Sequence, residues 1–274
     1  MKNPLHHPST FVRRAVLFGA LAGIFVGTSP VIGQAIEAAV GAQSQHGVEP
    51  QVIDDLPANY AADLPPEQRS LIERGRYVAR LGDCVACHTG NKSQPMAGGL
   101  ALETPFGKLY STNITPDKAT GMGSYSFEQF DRAMRKGVAA DGRNLYPAMP
   151  YENYRFMKES DIRALYDYLQ TEVKPVKNAV EATSLSFPFN MRFGIRAWNW
   201  LALSGEAKFK PMAGDEQQIR GQYLVEGAGH CAACHSPRTT FMAQDGTRLS
   251  DASFLTGGMV DEWTAPALRG KDRR

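Results

Sequence analysis

Three segments in the first half of the chain carry hydrophobic residues at the three- and four-residue spacing of an amphipathic helix. The first is predicted to begin at Pro65 and Pro66, because proline is tolerated in the first turn, where its missing N–H would have no partner. One face of this helix consists of Leu71, Gly75 and Val78. A glycine has no side chain to hold a neighbour away, so we expect another helix to pack closely there.

The second helix is predicted from two end signals. Ser126 and Gln129 have the spacing of a capping box, which indicates a helix start. Gly137 is predicted to end the helix, since glycine readily adopts the left-handed conformation found after a last turn. The apolar stripe of this helix consists of Phe127, Phe130 and Met134.

The third helix is predicted from about Asp161 to Glu172, with Ser160 as its N-cap. Its buried positions are expected to be Ile162, Leu165, Tyr166 and Leu169. No stretch shows sustained two-residue alternation, so the fold is predicted to be mostly α-helical. The connection between Thr89 and Tyr125 is too long for an ordinary loop, and we expect it to wrap around a bound group.

The N-terminus has the pattern of a secretory signal peptide. Arg13 and Arg14 precede an apolar run from Ala15 to Val26, and small and polar residues follow. The run is shorter than the ~20 residues that span a bilayer, which disfavours a retained anchor. Cleavage is expected after Ala35 or Ala42, with Ala42 favoured. Residues 1–42 are therefore predicted to be a signal peptide that directs the chain out of the cytoplasm.

Composition narrows the picture only slightly. The chain has 274 residues, of which 43% are hydrophobic, enough for one or two domains. Its formal net charge of +2 gives no reason to expect a nucleic-acid partner.

The cysteines carry the strongest chemical signal. All four lie in two C-x-x-C-H motifs, which consist of Cys84, Cys87 and His88, and of Cys231, Cys234 and His235. This motif is the attachment signature of a c-type haem, in which both thiols form thioethers and the adjacent imidazole ligates the iron. We therefore expect two covalently attached haems.

Three other uses of these cysteines fit the pattern less well. A zinc site would place its second thiol pair about 15 to 20 residues after the first, far closer than the two motifs are here. A thioredoxin-like pair needs no following histidine. Two disulfides would leave His88 and His235 as coincidences, although the chain has only six histidines. Haem attachment explains all four cysteines and both histidines together.

The motifs belong to a longer internal repeat. RGRYVARLGDCVACH at 74–88 recurs at 220–235, GGL at 98–100 is echoed by GGM at 257–259, and YSTNIT at 110–115 faintly by TAPALR at 264–269. Similarity at a roughly constant offset indicates a tandem duplication of one module.

A sixth ligand for the first haem iron is expected from Met149, which lies between two prolines that restrict the backbone. His/Met is a common ligand pair of c-type haems. Met149 could instead fill core space, as most methionines do. Met134 lies on the helical stripe, and Met96 and Met122 lie in the glycine-rich loop. In the second copy Met242 and Met259 occupy early-loop positions, so no distal ligand is assigned there.

The segment between the two copies is rich in aromatic residues. They are Phe187, Phe189, Phe193, Trp198 and Trp200. Aromatic residues are enriched at docking surfaces for a protein or a membrane. Ordinary packing between the two modules is favoured here, because a large exposed apolar patch is uncommon in a soluble monomer.

From about residue 70 to 270 the chain resembles a known bacterial family. The motifs GDCVACHT, GGL, TPFGKLYSTNITPDKATGMGSYSFEQFDRAMRKGVAADGRNLYPAMPY, FPFNMR and GHCAACHSPR are similar to those of the multihaem cytochrome c subunit of membrane-bound alcohol, gluconate and sorbitol dehydrogenases. The resemblance implies three haem c domains, which take electrons from a quinoprotein or flavoprotein subunit and deliver them to ubiquinone. It also implies haem attachment at Cys84, Cys87, Cys231 and Cys234, with His88, His235 and Met149 as axial ligands.

The implied fold is mostly α, with tandem cytochrome c-like haem domains of which the second is incomplete. The expected divisions are a signal peptide at 1–42, a first domain at 66–173, an aromatic-rich linker at 174–211 and a partial second domain at 212–274. Because the chain ends at KDRR, the second domain is expected to lack its closing helix and not to fold fully on its own.

The expected function is electron transfer at the outer face of the bacterial inner membrane. No G-x-G-x-x-G motif follows a predicted strand, so the oxidation chemistry is expected to reside in a partner subunit that carries PQQ or FAD. Two alternatives stay open at this point. One is a di-haem peroxidase, which needs an iron with an open sixth position, and the other is a non-functional truncated remnant.

Overall fold

The structure, a computed structural model, describes residues 65–260 and 263–270, and the predicted signal peptide at 1–42 lies outside them. The helices are α1 Pro66–Leu81, α2 Cys84–Cys87, α3 Phe127–Lys136, α4 Tyr151–Tyr154, α5 Glu159–Thr171, α6 Arg192–Ala202, α7 Glu216–Glu226 and α8 Ala232–His235. The strands are β1 Ala101–Thr104, β2 Gly107–Tyr110, β3 Ser184–Leu185, β4 Gly258–Val260 and β5 Trp263–Ala265. This content confirms the prediction of a mostly helical chain.

Helices α1 and α5 pack against each other at Gly75, as predicted. A Cβ atom built on Gly75 would lie 2.6 Å from the Cβ of Tyr168 and would also collide with the backbone carbonyl of Ala164. Real side chains do not approach this closely, so the contact requires a glycine. The buried face of α1 includes Val78, as expected, whereas Leu71 lies at its half-exposed margin and Ile72 takes the inner position.

Helix α3 confirms the predicted caps. The Ser126 hydroxyl accepts from the Gln129 backbone N–H at 3.3 Å, and the Gln129 side chain accepts from the Ser126 N–H at 2.8 Å. Gly137 ends the helix with a positive φ of 60°. The three apolar residues of the stripe are all buried in the main core, which is the larger of two clusters of buried hydrophobic side chains in the described residues.

Helix α5 corrects two predictions. It begins at Glu159, and its N-cap is Lys158, so Ser160 lies inside the first turn and caps nothing. Tyr166 is only half-buried, because its hydroxyl reaches the Tyr125 carbonyl at 2.8 Å. Tyr168 takes the buried position instead, since it lies on the side of α5 that faces Gly75.

The long connection after Thr89 contains a β-hairpin that the sequence did not predict. Strand β1 pairs antiparallel with β2, and β2 pairs antiparallel with β3 from the linker. Strands β4 and β5 form a second antiparallel pair. The described strands are four residues long at most, too short to show alternation, and β3 reaches its partner from far along the chain.

The favoured packing role of the linker aromatics is wrong for most of them. Phe193 is 72% exposed and Trp200 is 79% exposed, and with Leu201 they form the aromatic face of α6. Phe187 is also exposed, and Phe189 stacks on Phe106 while remaining partly exposed. Trp198 does pack between the first half of the chain, residues 65–211, and the second half, residues 212–270. Its ring lies edge-on to Tyr151, and its indole N–H donates to the Phe241 carbonyl at 2.7 Å.

Within residues 65–260 and 263–270, no helix is both long enough and apolar enough to cross a bilayer.

Candidate haem sites

The first C-x-x-C-H motif forms a single helical turn directly after α1. Gly82 and Asp83 connect the two helices, with Asp83 in the left-handed region at φ 51°. The His88 N–H donates to the Cys84 carbonyl at 2.9 Å, so the histidine follows one turn after the first cysteine. Cys84 is half-buried and Cys87 is exposed, and their spacing of three residues on a helix places both side chains on one side of the turn.

A backbone carbonyl fixes the His88 ring. Its Nδ1 lies 2.7 Å from the Thr112 oxygen, and because a carbonyl can only accept, Nδ1 carries the proton. The lone pair is then on Nε2, the nitrogen that can ligate a metal. Burial lowers the pKa of His88, which keeps the imidazole neutral as a ligand requires.

The second motif repeats this arrangement. The His235 N–H donates to the Cys231 carbonyl at 3.0 Å, and His235 Nδ1 lies 2.8 Å from the Pro266 oxygen. Thr112 and Pro266 occupy the same place in the two segments that the sequence repeat paired, 110–115 and 264–269. Each of the two segments therefore supplies a carbonyl that holds a motif histidine.

The glycine segments are equivalent as well. The Gly98 N–H donates to the His88 carbonyl at 2.7 Å, and the Gly257 N–H donates to the His235 carbonyl at 2.8 Å. Each hydrogen bond closes the loop that leaves a C-x-x-C-H motif. The pairing of GGL with GGM in the sequence is thus confirmed.

One pair of contacts was missed by the sequence analysis. The Thr89 hydroxyl accepts from the Met96 N–H at 3.0 Å, and the Ser236 hydroxyl accepts from the Leu255 N–H at 2.9 Å. Met96 and Leu255 both have positive φ, 62° and 57°. The available signal was a hydroxyl residue directly after each motif histidine.

The donor set of each motif fits a c-type haem. All four cysteines are free thiols, and burial raises the pKa of Cys84 to about 12. Burial also raises the pKa of Cys87. Among the described residues, no three His, Cys, Asp or Glu side chains converge as a metal cage. Two thiols at one edge and a separate imidazole instead match a porphyrin held by its rim and its iron.

Met149 lies in the loop before α4 and is half-buried. It packs on the same main core as Cys84. Its backbone is held on both sides, because its N–H donates to the Tyr146 carbonyl at 3.4 Å and its carbonyl accepts from the Tyr151 N–H at 2.8 Å. Met134, Met96 and Met122 are fully buried, as befits core residues. In the second half, Met242 and Met259 are both exposed.

Tyr151 is a supporting residue that sequence reasoning did not identify. It is fully buried, and its hydroxyl reaches both the Leu145 carbonyl at 3.3 Å and the Asn199 side-chain oxygen at 2.8 Å. Burial raises its pKa, so the phenol stays protonated and can donate. Because Tyr151 follows Met149 by two residues, these contacts fix one end of the methionine loop.

Comparison with known proteins gives the class first. Residues 72–172 match the cytochrome c family and form a cytochrome c domain. One similar protein is a nicotinate dehydrogenase subunit from Pseudomonas putida, which is 50% identical over 200 residues, or 73% of this chain and 16% of that protein.

The more specific relationship is to dehydrogenase cytochromes. The gluconate 2-dehydrogenase cytochrome c subunit of Pantoea cypripedii is 45% identical, covering 74% of this chain and 47% of that protein. The cytochrome c subunit of the quinone alcohol dehydrogenase of Gluconacetobacter polyoxogenes is 44% identical, covering 76% and 45%. The chain is thus similar over about three quarters of its length to cytochrome c subunits of bacterial dehydrogenases, and it spans less than half the length of these relatives.

Proposed function

We propose that this chain is an electron-transfer subunit of a dehydrogenase complex, with one haem c at each C-x-x-C-H motif. The observation that carries the proposal is the repeated pairing of a motif histidine Nδ1 with a backbone carbonyl, to Thr112 in one copy and to Pro266 in the other. A haem bound in this way exchanges single electrons without binding the organic substrate.

Each functional residue has a defined role in this proposal. Cys84 and Cys87 attach the first haem, and Cys231 and Cys234 attach the second. His88 and His235 are the proximal ligands, each held by its carbonyl partner at Nδ1, so that Nε2 is the nitrogen that would ligate the iron. Met149 is the distal ligand of the first haem, held by the backbone hydrogen bonds on both of its sides.

The domain arrangement follows from these sites. We assign residues 66–173 to a first cytochrome c domain, 174–211 to a linker, and 212–274 to part of a second domain that contains its attachment motif. The support for tandem domains is the set of equivalent hydrogen bonds around His88 and His235.

The proposed donor is a catalytic subunit that oxidises an alcohol, a sugar or a sugar acid with PQQ or FAD. Electrons then pass towards ubiquinone at the outer face of the inner membrane. The names of the relatives support a dehydrogenase partner, and the predicted signal peptide supports the periplasm. The aromatic face of α6 supports a protein contact, because exposed aromatic clusters are typical of interfaces.

The function is tested by following the absorbance of the haem-loaded protein during turnover. A quinoprotein or flavoprotein dehydrogenase with its substrate should reduce the protein, and a soluble quinone should reoxidise it. Replacing Cys84 and Cys87, or Cys231 and Cys234, by serine should each remove one haem per chain. Failure of reduction by dehydrogenases of both classes would contradict the proposal.

Hydrogen peroxide separates this function from a di-haem peroxidase. The exposed Met242 and Met259 leave the distal ligand of the second haem unassigned, which is the feature that a peroxidase would share. An electron carrier should show no sustained peroxide turnover when pre-reduced. Rapid, repeated turnover would favour the peroxidase.

A further inference from the structure

The two C-x-x-C-H motifs are held together by a buried junction at α4. All four residues of α4 are buried. The Asn153 side chain contacts the second half twice, by donating to the Glu226 carbonyl at 3.4 Å and accepting from the Gln244 amide at 2.7 Å. Ala228, two residues before His230, belongs to the main core of the first half. The segment that leads into the second motif is therefore anchored on the first.

Within this junction, the Tyr154 side chain contacts both a backbone carbonyl before the first motif and a side chain before the second motif. The Tyr154 hydroxyl donates to the Gly82 oxygen at 2.9 Å. The Tyr154 ring in turn packs edge to face against the His230 ring, with the two centroids 5.8 Å apart. Tyr154 therefore links Gly82 to His230.

Gly82 and His230 each lie just before a C-x-x-C-H motif. Gly82 precedes Cys84 by two residues, and His230 directly precedes Cys231. The contact therefore joins the two chain segments at the points where each enters its motif. Thioether bonds would transmit the positions of both segments to the bound groups, since each porphyrin is attached through its two cysteines.

We propose that Tyr154 and His230 are positioning residues that lock the two haem-attachment motifs together, because the Tyr154 hydroxyl holds the Gly82 carbonyl while its ring packs on His230, so that the two haems form a coupled pair in one fixed arrangement. This inference rests on the proposed function, because it requires a haem at each motif. The new element is that the relative position of the two haem sites is fixed by residues that neither ligate the iron nor attach the haem.

Circular dichroism in the Soret region tests the proposal directly. Two haems held close together in a fixed orientation give a bisignate couplet, whose amplitude depends on their separation and mutual angle. We expect the wild-type haem-loaded chain to show such a couplet. Tyr154→Phe removes only the hydroxyl, and His230→Gly removes the imidazole without straining a backbone at φ 37°. Each variant should lose at least half of the amplitude per bound haem.

Tyr223→Phe is the matched control. Tyr223 is also buried at the junction, where its hydroxyl contacts the Asp161 carboxylate and the Lys158 N–H, but its hydroxyl does not bond to Gly82. This variant should keep the wild-type couplet. An equal loss in Tyr223→Phe would overturn the proposal, because it would attribute the effect to junction packing in general.

The number of haems per chain distinguishes failure of the positioning role from failure of the proposed function. Pyridine haemochrome absorbance should give two haems per chain in the wild type and in the variants whose spectra are compared. Two haems without a couplet, or a couplet unchanged in both Tyr154→Phe and His230→Gly, would overturn the positioning role and leave the proposed function standing. Fewer than two haems in the wild type would overturn both.

Discussion

At the scale of single residues, the protein assigns different tasks to chemically similar side chains. Met134 and Met149 are both methionines near the first motif, but Met134 is sealed in the core, whereas Met149 lies half-buried in a loop whose backbone is pinned on both sides. A thioether that must reach a metal needs a fixed backbone and an open path. Of these two methionines, Met149 alone combines both properties.

Replacing Met149 by alanine should remove the sulfur-to-iron charge-transfer band at the red end of the oxidised absorption spectrum, since the distal ligand would be lost. Met134→Leu is the control, because a volume-conserving change in the core should leave the band in place. Both variants should retain haem, which is attached through cysteine. A band that survives in Met149→Ala would remove this residue from the ligand set.

At the scale of elements, the repeat shows how one sequence motif serves two packing environments. Gly75 in α1 and Gly221 in α7 are equivalent positions of the repeat, each between an arginine and a residue that precedes a tyrosine. Gly75 is pressed against α5, whereas a Cβ on Gly221 would have no described atom within 4 Å. The same residue is therefore required in one copy and merely tolerated in the other.

This difference predicts opposite effects of the same substitution. Gly75→Ala should lower the free energy of unfolding by about 1 to 3 kcal/mol, because the added methyl group forces α1 and α5 apart. Gly221→Ala should raise it by about 0.5 to 1 kcal/mol, because alanine favours the helix and meets no neighbour. Denaturant unfolding of the haem-loaded chain measures both. Equal destabilisation by the two changes would contradict the packing described for α1 and α5.

The aromatic face of α6 should matter for association and not for folding. Replacing Phe193 and Trp200 by serine should change the free energy of unfolding little, since both side chains are exposed. Loss of a central interface aromatic costs about 2 kcal/mol or more, so the Kd for the dehydrogenase catalytic subunit should rise roughly thirtyfold. Calorimetric titration measures this affinity, and an unchanged Kd would exclude this face from the contact.

The features that can be predicted from the sequence are those that depend on residues close to each other in the chain. Local spacing predicts the caps of α3 and the close approach at Gly75. The repeat predicts that the segments containing Thr112 and Pro266 correspond to each other. The prediction that Ser160 caps α5 is wrong, because the sequence does not reveal where a helix end meets its tertiary neighbours. At that end, the Lys158 N–H is bound by Tyr223, which is distant in the chain. The roles of Tyr154 and His230 are not predicted for the same reason, because each residue contacts a segment that is distant in the chain.

At the scale of the whole molecule, the two halves differ in how they are stabilised. The first half surrounds a large core made by α1, α3 and α5. The second half buries only Ala232, Phe254 and Leu255 in a core of its own within the described residues, with Val225 and Cys231 packed against them. It relies instead on the junction, where its Tyr223, Glu226 and Gln244 contact the first half.

Residues 212–270 should therefore not fold as an isolated fragment. Burial of a few apolar side chains supplies about 1.5 to 3 kcal/mol each, too little to offset the conformational entropy of ordering the segment. In the haem-loaded chain the same residues should resist limited proteolysis, because the junction holds them. A cooperative melting transition of the isolated fragment would contradict this account.

The central claim is that the chain carries one haem at each C-x-x-C-H motif. Intact-protein mass spectrometry of the matured chain tests it most directly. The account predicts the mass of the polypeptide plus two haems, with no cysteine available to a thiol reagent. A mass equal to the bare polypeptide, with four reactive thiols, would contradict it.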